Sequence, residues 1–171
     1  MTFQIGEKIV YPNHGVATIE NISSRVFAGN FERFYFLRLI HSSLTVMVPF
    51  SHADDLRLRR VTRNGELAKV VEFLAEPKRR RNPHQDWKDR FRENTEKMQN
   101  GSLLEIATVL KCLLISQAHK PLSFREKKML DRARHMLITE LCTSRGWDEA
   151  DAVRILDQAL EKAHLRFPAA M

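Results

Sequence analysis

The sequence predicts an α+β protein in two parts, a small antiparallel β-module followed by a compact all-helical domain. Two observations carry this. Up to about residue 60 the apolar residues come in short runs rich in β-branched and aromatic side chains, and beyond it they recur at the three-and-four spacing of amphipathic helices. The punctuation changes with the period: Pro12-Asn13-His14-Gly15, Ala28-Gly29-Asn30 and His41-Ser42-Ser43 separate the early runs, whereas Pro77, Gly101 and Gly146 close the later ones. The expected domains are 1–60 and 61–171, and a chain of 171 residues has room for two small cores.

Four strands are expected at 7–11 (EKIVY), 15–27 (GVATIENISSRVF), 31–40 (FERFYFLRLI) and 44–48 (LTVMV), with a fifth including 56–58. Together they make a small barrel or a strongly bent sheet. Within 31–40, Phe34, Phe36 and Ile40 alternate only loosely with Arg33, Tyr35 and Leu39, so at least one strand is covered on both faces. The first helix carries Leu67, Val70, Val71 and Leu74 and ends at Pro77. Asn82-Pro83 offers an N-cap and a first-turn proline for a second helix, which runs to about Gln99 and stops at Gly101. A third turns Leu103, Ile106, Val109, Leu110, Leu113 and Leu114 inward. The fourth opens on the capping box Ser123-Phe124-Arg125-Glu126 and buries Leu130, Ala133, Leu137 and Leu141. Asp148 caps the fifth, which presents Val153, Leu156 and Leu160, and Trp147 takes the staple position before that cap.

A hydrophobic share of 43% with 29% charged residues is that of a packed globular protein. No apolar run approaches the roughly 18 residues of a membrane span. The start MTFQIGEKIVYP lacks a basic segment leading into an apolar one, so a cytoplasmic location with no membrane partner is expected. Cys112 and Cys142 lie in helical patterns far apart in sequence, which favours free, buried thiols over a disulfide.

The net charge of +7 is the more informative number, because lysines and arginines that neutralise phosphates release condensed counterions. A polyanionic partner is expected, nucleic acid before an anionic membrane surface. Arg57, Arg59, Arg60 and Arg63 form one basic cluster; Lys78, Arg79, Arg80 and Arg81 with Lys88, Arg90 and Arg92 form another.

Catalytic chemistry finds little support. The seven histidines are scattered, with no HExxH, no CxxC and no metal-ligand spacing. Glycine-rich phosphate loops and nucleophile elbows are absent. His14 is explained by its turn, and Asp54-Asp55 by the capping of a short connection. The expectation is no catalytic residue, no metal and no cofactor.

Trp87 stands apart. On a helix it shares a face with Phe91 and Met98, which suits core packing; yet Lys88, Arg90 and Arg92 surround that face. A large apolar side chain ringed by cations is what a DNA wedge needs, since cations hold phosphates while the ring fills an unstacked base step. Spacing alone leaves Trp87 open between the two.

Four stretches, in order, resemble one family. They are F-x-I-G-E-x-I-V-Y-P-N-H-G (Phe3 to Gly15), L-T-V-x-V-P (Leu44 to Pro49), W-x-x-R-F-R-x-N-x-E-K (Trp87 to Lys97) and L-S-x-x-E-K-x-M-L-x-x-A-R (Leu122 to Arg134). Together they resemble the CarD family of bacterial transcription regulators. The resemblance implies an N-terminal Tudor-like module, similar to the polymerase-binding domain of transcription-repair coupling factor, that binds the RNA polymerase β subunit. It implies a helical domain that contacts promoter DNA. A nucleoid-associated protein is expected, and a monomer, since nothing in the pattern demands a dimer. The resemblance places Trp87 at the family's minor-groove wedge, at the upstream edge of the transcription bubble, where it would stabilise the open complex. Arg90 and Arg92 then match basic positions on the DNA backbone, with Lys88 and the run Arg79, Arg80 and Arg81 nearby. Arg25, Met47 and Pro49 fall in the polymerase-contacting part. Two residues depart from the pattern: Met47 stands where an arginine is frequent, and Asp89 where a basic residue is.

Two other classes compete with this reading. An interaction adaptor would bury Trp87 and use its charges for solubility. An RNA-binding module would stack bases on Phe34, Tyr35 and Phe36 of a sheet face.

Overall fold

The computed structural model describes residues 2–40, 42–77 and 86–168. The chain forms two units, Met1–Val61 and Thr62–Met171. The basic run from Lys78 to Arg81 and the Asn82-Pro83 pair lie outside the described residues.

The first unit is a five-stranded antiparallel sheet of β1 (Lys8–Tyr11), β2 (Gly15–Phe27), β3 (Asn30–Leu39), β4 (Thr45–Pro49) and β5 (Arg59–Arg60). The strand order is β4-β3-β2-β1-β5, so the sheet is open rather than a closed barrel, with β4 and β5 at its edges. Pro12-Asn13-His14-Gly15 turns β1 into β2. There Asn13 and Gly15 have φ of 68° and 100°, and at Gly15 this conformation, rather than lack of space, requires glycine.

The core residues of β3 are Tyr35, Leu37 and Leu39, while Phe34 and Phe36 are half-buried on the other face and Ile40 is exposed. Tyr35 is 1% exposed. It stacks on Phe50 at 4.0 Å, meets Phe3 edge-on at 5.7 Å, and its hydroxyl accepts the Phe3 amide at 3.1 Å, which satisfies a buried polar atom. On β2 the pairing shifts between Ile19 and Asn21. This bulge at Glu20 resets the two-residue period, so that Ile19 opposite Leu37 and Ile22 opposite Tyr35 both serve the same core. The fifth strand begins later than the expected 56–58. Arg57 is left-handed at φ 58°, so extended pairing starts only after Leu58 has been buried, with Arg60 opposite Ile9.

Arg60 donates to Glu7 at 2.9 Å, and the Gln4 amide donates to the same carboxylate at 2.9 Å. The amide contact first, then the Arg60 bond, hold Glu7 below its ordinary carboxylate value of 4.5. A depressed folded value means stabilisation that is complete above about pH 4.5 and is lost as pH falls through the folded value. Glu7→Gln is therefore expected to reduce the acid sensitivity of the β-unit below that pH; acid titrations of the two proteins with the same slope would contradict it.

The second unit contains α1 (Asn64–Ala75), α2 (Trp87–Asn100), α3 (Leu103–His119), α4 (Phe124–Arg145) and α5 (Glu149–Lys162). Four of the helices start alike, because Asp86, Ser102, Ser123 and Asp148 each accept the backbone N–H three residues on. For α2 this corrects the expected Asn82 cap: the helix starts at Trp87, where the Asp86 carboxylate takes the Asp89 amide at 2.8 Å. Left-handed Gly101 and Gly146 end α2 and α4 as expected.

Helix α3 is the centre of the core. Leu103, Ile106, Ala107, Val109, Leu110, Leu113 and Leu114 bury it on several sides. Its Lys111 is also buried, yet satisfied: the ammonium donates to the Phe73 and Glu76 carbonyls at the end of α1, at 2.6 and 2.9 Å. Buried Glu140 of α4 accepts the Thr62 amide at 2.9 Å and the Thr62 hydroxyl, and Ser144 donates to the Thr62 carbonyl at 2.6 Å, fixing the chain entering α1.

Candidate nucleic-acid interface

Helix α2 turns Arg90, Asn94 and Met98 inward, one residue per turn. The alternative line through Trp87, Phe91 and Met98 therefore does not form the buried stripe. Trp87 is 49% exposed and Phe91 half-buried. Trp87 is the first residue of α2, directly after the Asp86 cap. The Lys88 ammonium lies 6.0 Å from its ring centroid. Trp147 differs: it is half-buried before the Asp148 cap, under Arg145 at 5.5 Å.

Arg90, for which a contact with the DNA backbone is expected, lies inside the helical unit and is paired. Its Nε donates to Glu126 Oε1 at 2.8 Å and its Nη2 to Oε2 at 3.0 Å, with residue exposures of 8% and 1%. This is a bidentate fork, buried and neutralised. Those hydrogen bonds first, against the opposing effect of burial, push the Arg90 value above that of an ordinary arginine. The fork engages two of the five guanidinium N–H donors and leaves the residue 8% exposed. The same contact explains why the capping box of α4 is half made: Ser123 accepts the Glu126 amide at 3.2 Å, while the Glu126 carboxylate reaches across to α2.

Lys88 and Arg92 remain on the surface. Arg92 pairs with Asp89 at 3.3 Å, both exposed, and a pair of that kind contributes little, so a phosphate can replace the carboxylate at small cost. Asp89 nevertheless removes one positive charge from this patch.

Sequence reasoning missed the contribution of α4. Arg125 reaches across to Phe91 of α2, 5.9 Å from its ring centroid, and Lys128 covers the ring of Phe124 at 4.5 Å. Phe124 is 71% exposed at the first position of α4, as Trp87 is at the first of α2. The signal was present in SFRE, where the capping pattern drew attention to Ser123 and Glu126 and away from the residues between them.

In the first unit, Arg25 is exposed on β2 opposite Glu32 of β3. Met47, 40% exposed, and half-buried Pro49 lie on β4, whose second edge pairs with no other strand of the sheet. Such an edge presents backbone donors and acceptors to a partner. Of the other basic cluster, Arg59 and Arg60 are occupied in the sheet, Arg59 donating to the Arg60 carbonyl at 3.1 Å and Arg60 to Glu7.

Among the described residues no group of three or more His, Cys, Asp or Glu is placed to hold a metal ion, and no helix is long and apolar enough to cross a membrane. Cys112 and Cys142 are both free and half-buried, and burial raises the Cys142 thiol above its ordinary value.

Residues 3–62 match the family model of the CarD-like/TRCF RID domain, and residues 69–157 match that of the CarD C-terminal domain. The chain is also 36% identical over 147 residues to a Bacillus subtilis (strain 168) protein described as "Putative transcription factor YdeB", an alignment that covers 86% of this chain and 95% of that protein. Two successive family domains in the same order, with a relative aligned over nearly its whole length, place the chain in the CarD family of transcription regulators.

Proposed function

We propose that this protein bridges RNA polymerase and promoter DNA: the β-unit binds the polymerase β subunit, and Trp87 inserts at the upstream edge of the transcription bubble. The observation that carries the reading is the placement of Trp87, half exposed at the start of α2 with Lys88 and Arg92 on the same short segment. A tryptophan retained for packing would be buried, which is what an adaptor with no DNA contact requires. The match of residues 3–62 to the RID domain supports the polymerase contact, for which Arg25, Met47 and Pro49 are the candidate residues. Base stacking on the sheet loses its central member, since Tyr35 is enclosed between Phe3 and Phe50.

The mechanism is differential binding. A factor that fits melted promoter DNA better than closed DNA shifts the equilibrium by that difference in affinity and no more. A preference of about 1.4 kcal/mol changes the open-to-closed ratio tenfold at saturation. Inserting the indole offsets part of the cost of unstacking a base step, on the order of a few kcal/mol, while Lys88, Arg92 and the run Lys78 to Arg81 hold phosphates. A wedge reads deformability more than base edges, so sequence choice belongs to the polymerase. Nothing in this scheme requires a catalytic group, a cofactor or a second copy of the chain.

Replacing Lys78, Arg79, Arg80 and Arg81 with Ala is expected to flatten the dependence of log affinity on log salt, by up to about 0.9 for each duplex phosphate that the run neutralises. An unchanged slope would show that the run neutralises none. The two-sided reading itself is tested by photocrosslinking groups placed at positions 87 and 47 in polymerase–promoter complexes. Position 87 should label DNA at the upstream edge of the bubble and position 47 the β subunit; labelling of polymerase alone from both would favour the adaptor.

A further inference from the structure

Trp87 is exposed and sits at a helix end, where side chains and backbone fray unless something holds them. Directly upstream the Asp86 cap secures the Asp89 amide, which orders the backbone of the first turn. Three residues beyond Trp87, on the same side of the helix, Arg90 enters the interior and closes its fork on Glu126. Further along, Asn94 donates weakly to the Cys112 sulfur at 3.8 Å, and apolar burial of α2 is complete only at Met98, three turns from Trp87. The anchoring at the tryptophan end of α2 is thus polar and directional, and at the far end apolar. An apolar contact is less directional than two parallel charged hydrogen bonds in one plane, which set both the angle and the position of the groups they join.

We infer that the buried Arg90–Glu126 pair is a positioning device, which locks the first turn of α2 to the first turn of α4 and so holds the Trp87 indole in one orientation. Arg90 and Glu126 act through Trp87 and touch no nucleic acid themselves. The inference rests on the reading of Trp87 as the inserted residue only for its functional consequence; the rigidity of the indole is a property of the free protein. Preorganisation of this kind matters for a wedge, since ordering a mobile side chain on binding subtracts from the affinity it supplies.

The test compares four proteins in a Trp147→Phe background, so that Trp87 alone is fluorescent: the parent, Arg90→Leu/Glu126→Leu, Arg90→Lys, and the exchanged pair Arg90→Glu/Glu126→Arg. The leucine pair removes the fork without stranding a charge, and its folding is checked by circular dichroism and thermal unfolding. It should fold as the parent does, yet show lower fluorescence anisotropy of Trp87 and a roughly twofold higher acrylamide quenching constant. Arg90→Lys keeps the charge without the fork and should behave like the leucine pair, while the exchanged pair should recover the parent values. With polymerase and promoter, the leucine pair should shorten open-complex lifetime to that given by Trp87→Ala, and adding Trp87→Ala to it should cause no further loss. Parent-like anisotropy and quenching in a folded leucine pair would overturn the inference. Should Trp87→Ala leave the lifetime unchanged, the wedge reading fails while anisotropy still decides whether the pair holds the indole.

Discussion

Glu126→Ala is expected to destabilise the helical unit by about 3–5 kcal/mol, read as a lower urea midpoint with a similar slope, because it leaves the Arg90 guanidinium buried without its partner. Arg90→Ala should be comparable, as it strands a carboxylate that is 1% exposed. A loss of this size is a large part of the stability of a domain with typical values of about 5–15 kcal/mol. Removing both partners has a different consequence. Two leucines exchange the desolvation of two charges for apolar packing, so the double variant should fall within about 1 kcal/mol of wild type or exceed it. The single variants would then be strongly non-additive with the double, the signature of groups that act as one unit. Single and double effects that simply add would show that the fork is not the interaction being broken.

Trp87→Ala is expected to separate folding from function. With half its surface in solvent and no place in the buried stripe of α2, the indole contributes little to the core, and its loss should change stability by no more than about 0.5 kcal/mol. The same substitution should abolish the shift toward melted promoter, about tenfold in the open-to-closed ratio if the wedge supplies about 1.4 kcal/mol of preference. Trp147→Phe is the control. That tryptophan is half-buried ahead of the Asp148 cap and under Arg145, and its replacement should affect the start of α5 without affecting DNA.

Much of the architecture was legible because its determinants are local. Ser123 and Asp148 announce their helices within three residues of the amide each accepts, and Gly101 and Gly146 end theirs through a left-handed conformation that glycine adopts readily. Where two local signals competed, the nearer cap prevailed: Asn82-Pro83 has the form of a helix start, but it is Asp86 that takes the Asp89 amide. The phase of β3 and the start of β5 were harder. In the run Phe34-Tyr35-Phe36 aromatic residues occupy both faces, and only the packing of Phe3 and Phe50 on Tyr35 identifies the inner one. Arg57 adopts positive φ without the glycine or asparagine that would signal it.

The site was legible in part, for the same reason. Trp87, Lys88 and Arg92 are adjacent in the chain, so their grouping needs no tertiary information. The burial of Arg90 was not legible, because a cation within a basic segment reads as solvent-facing, and the carboxylate that draws it inward is 36 residues away. Arg125 is hidden for the complementary reason, since only the packing of α4 beside the start of α2 brings it to Phe91, whereas Lys128 covers Phe124 within α4 itself. For Arg90 and Arg125 the missing information was a contact between helices, which neither composition nor periodicity encodes.

The measurement that bears most directly on the bridging account is the lifetime of the open complex after a competitor challenge, on one promoter with the cognate polymerase. It compares no factor, the wild-type protein and Trp87→Ala. The account predicts a longer lifetime with the wild-type protein and a return to the factor-free value with Trp87→Ala, although that variant still binds polymerase. A wild-type protein that binds polymerase and leaves the lifetime unchanged, or a Trp87→Ala variant that prolongs it equally well, would contradict the account.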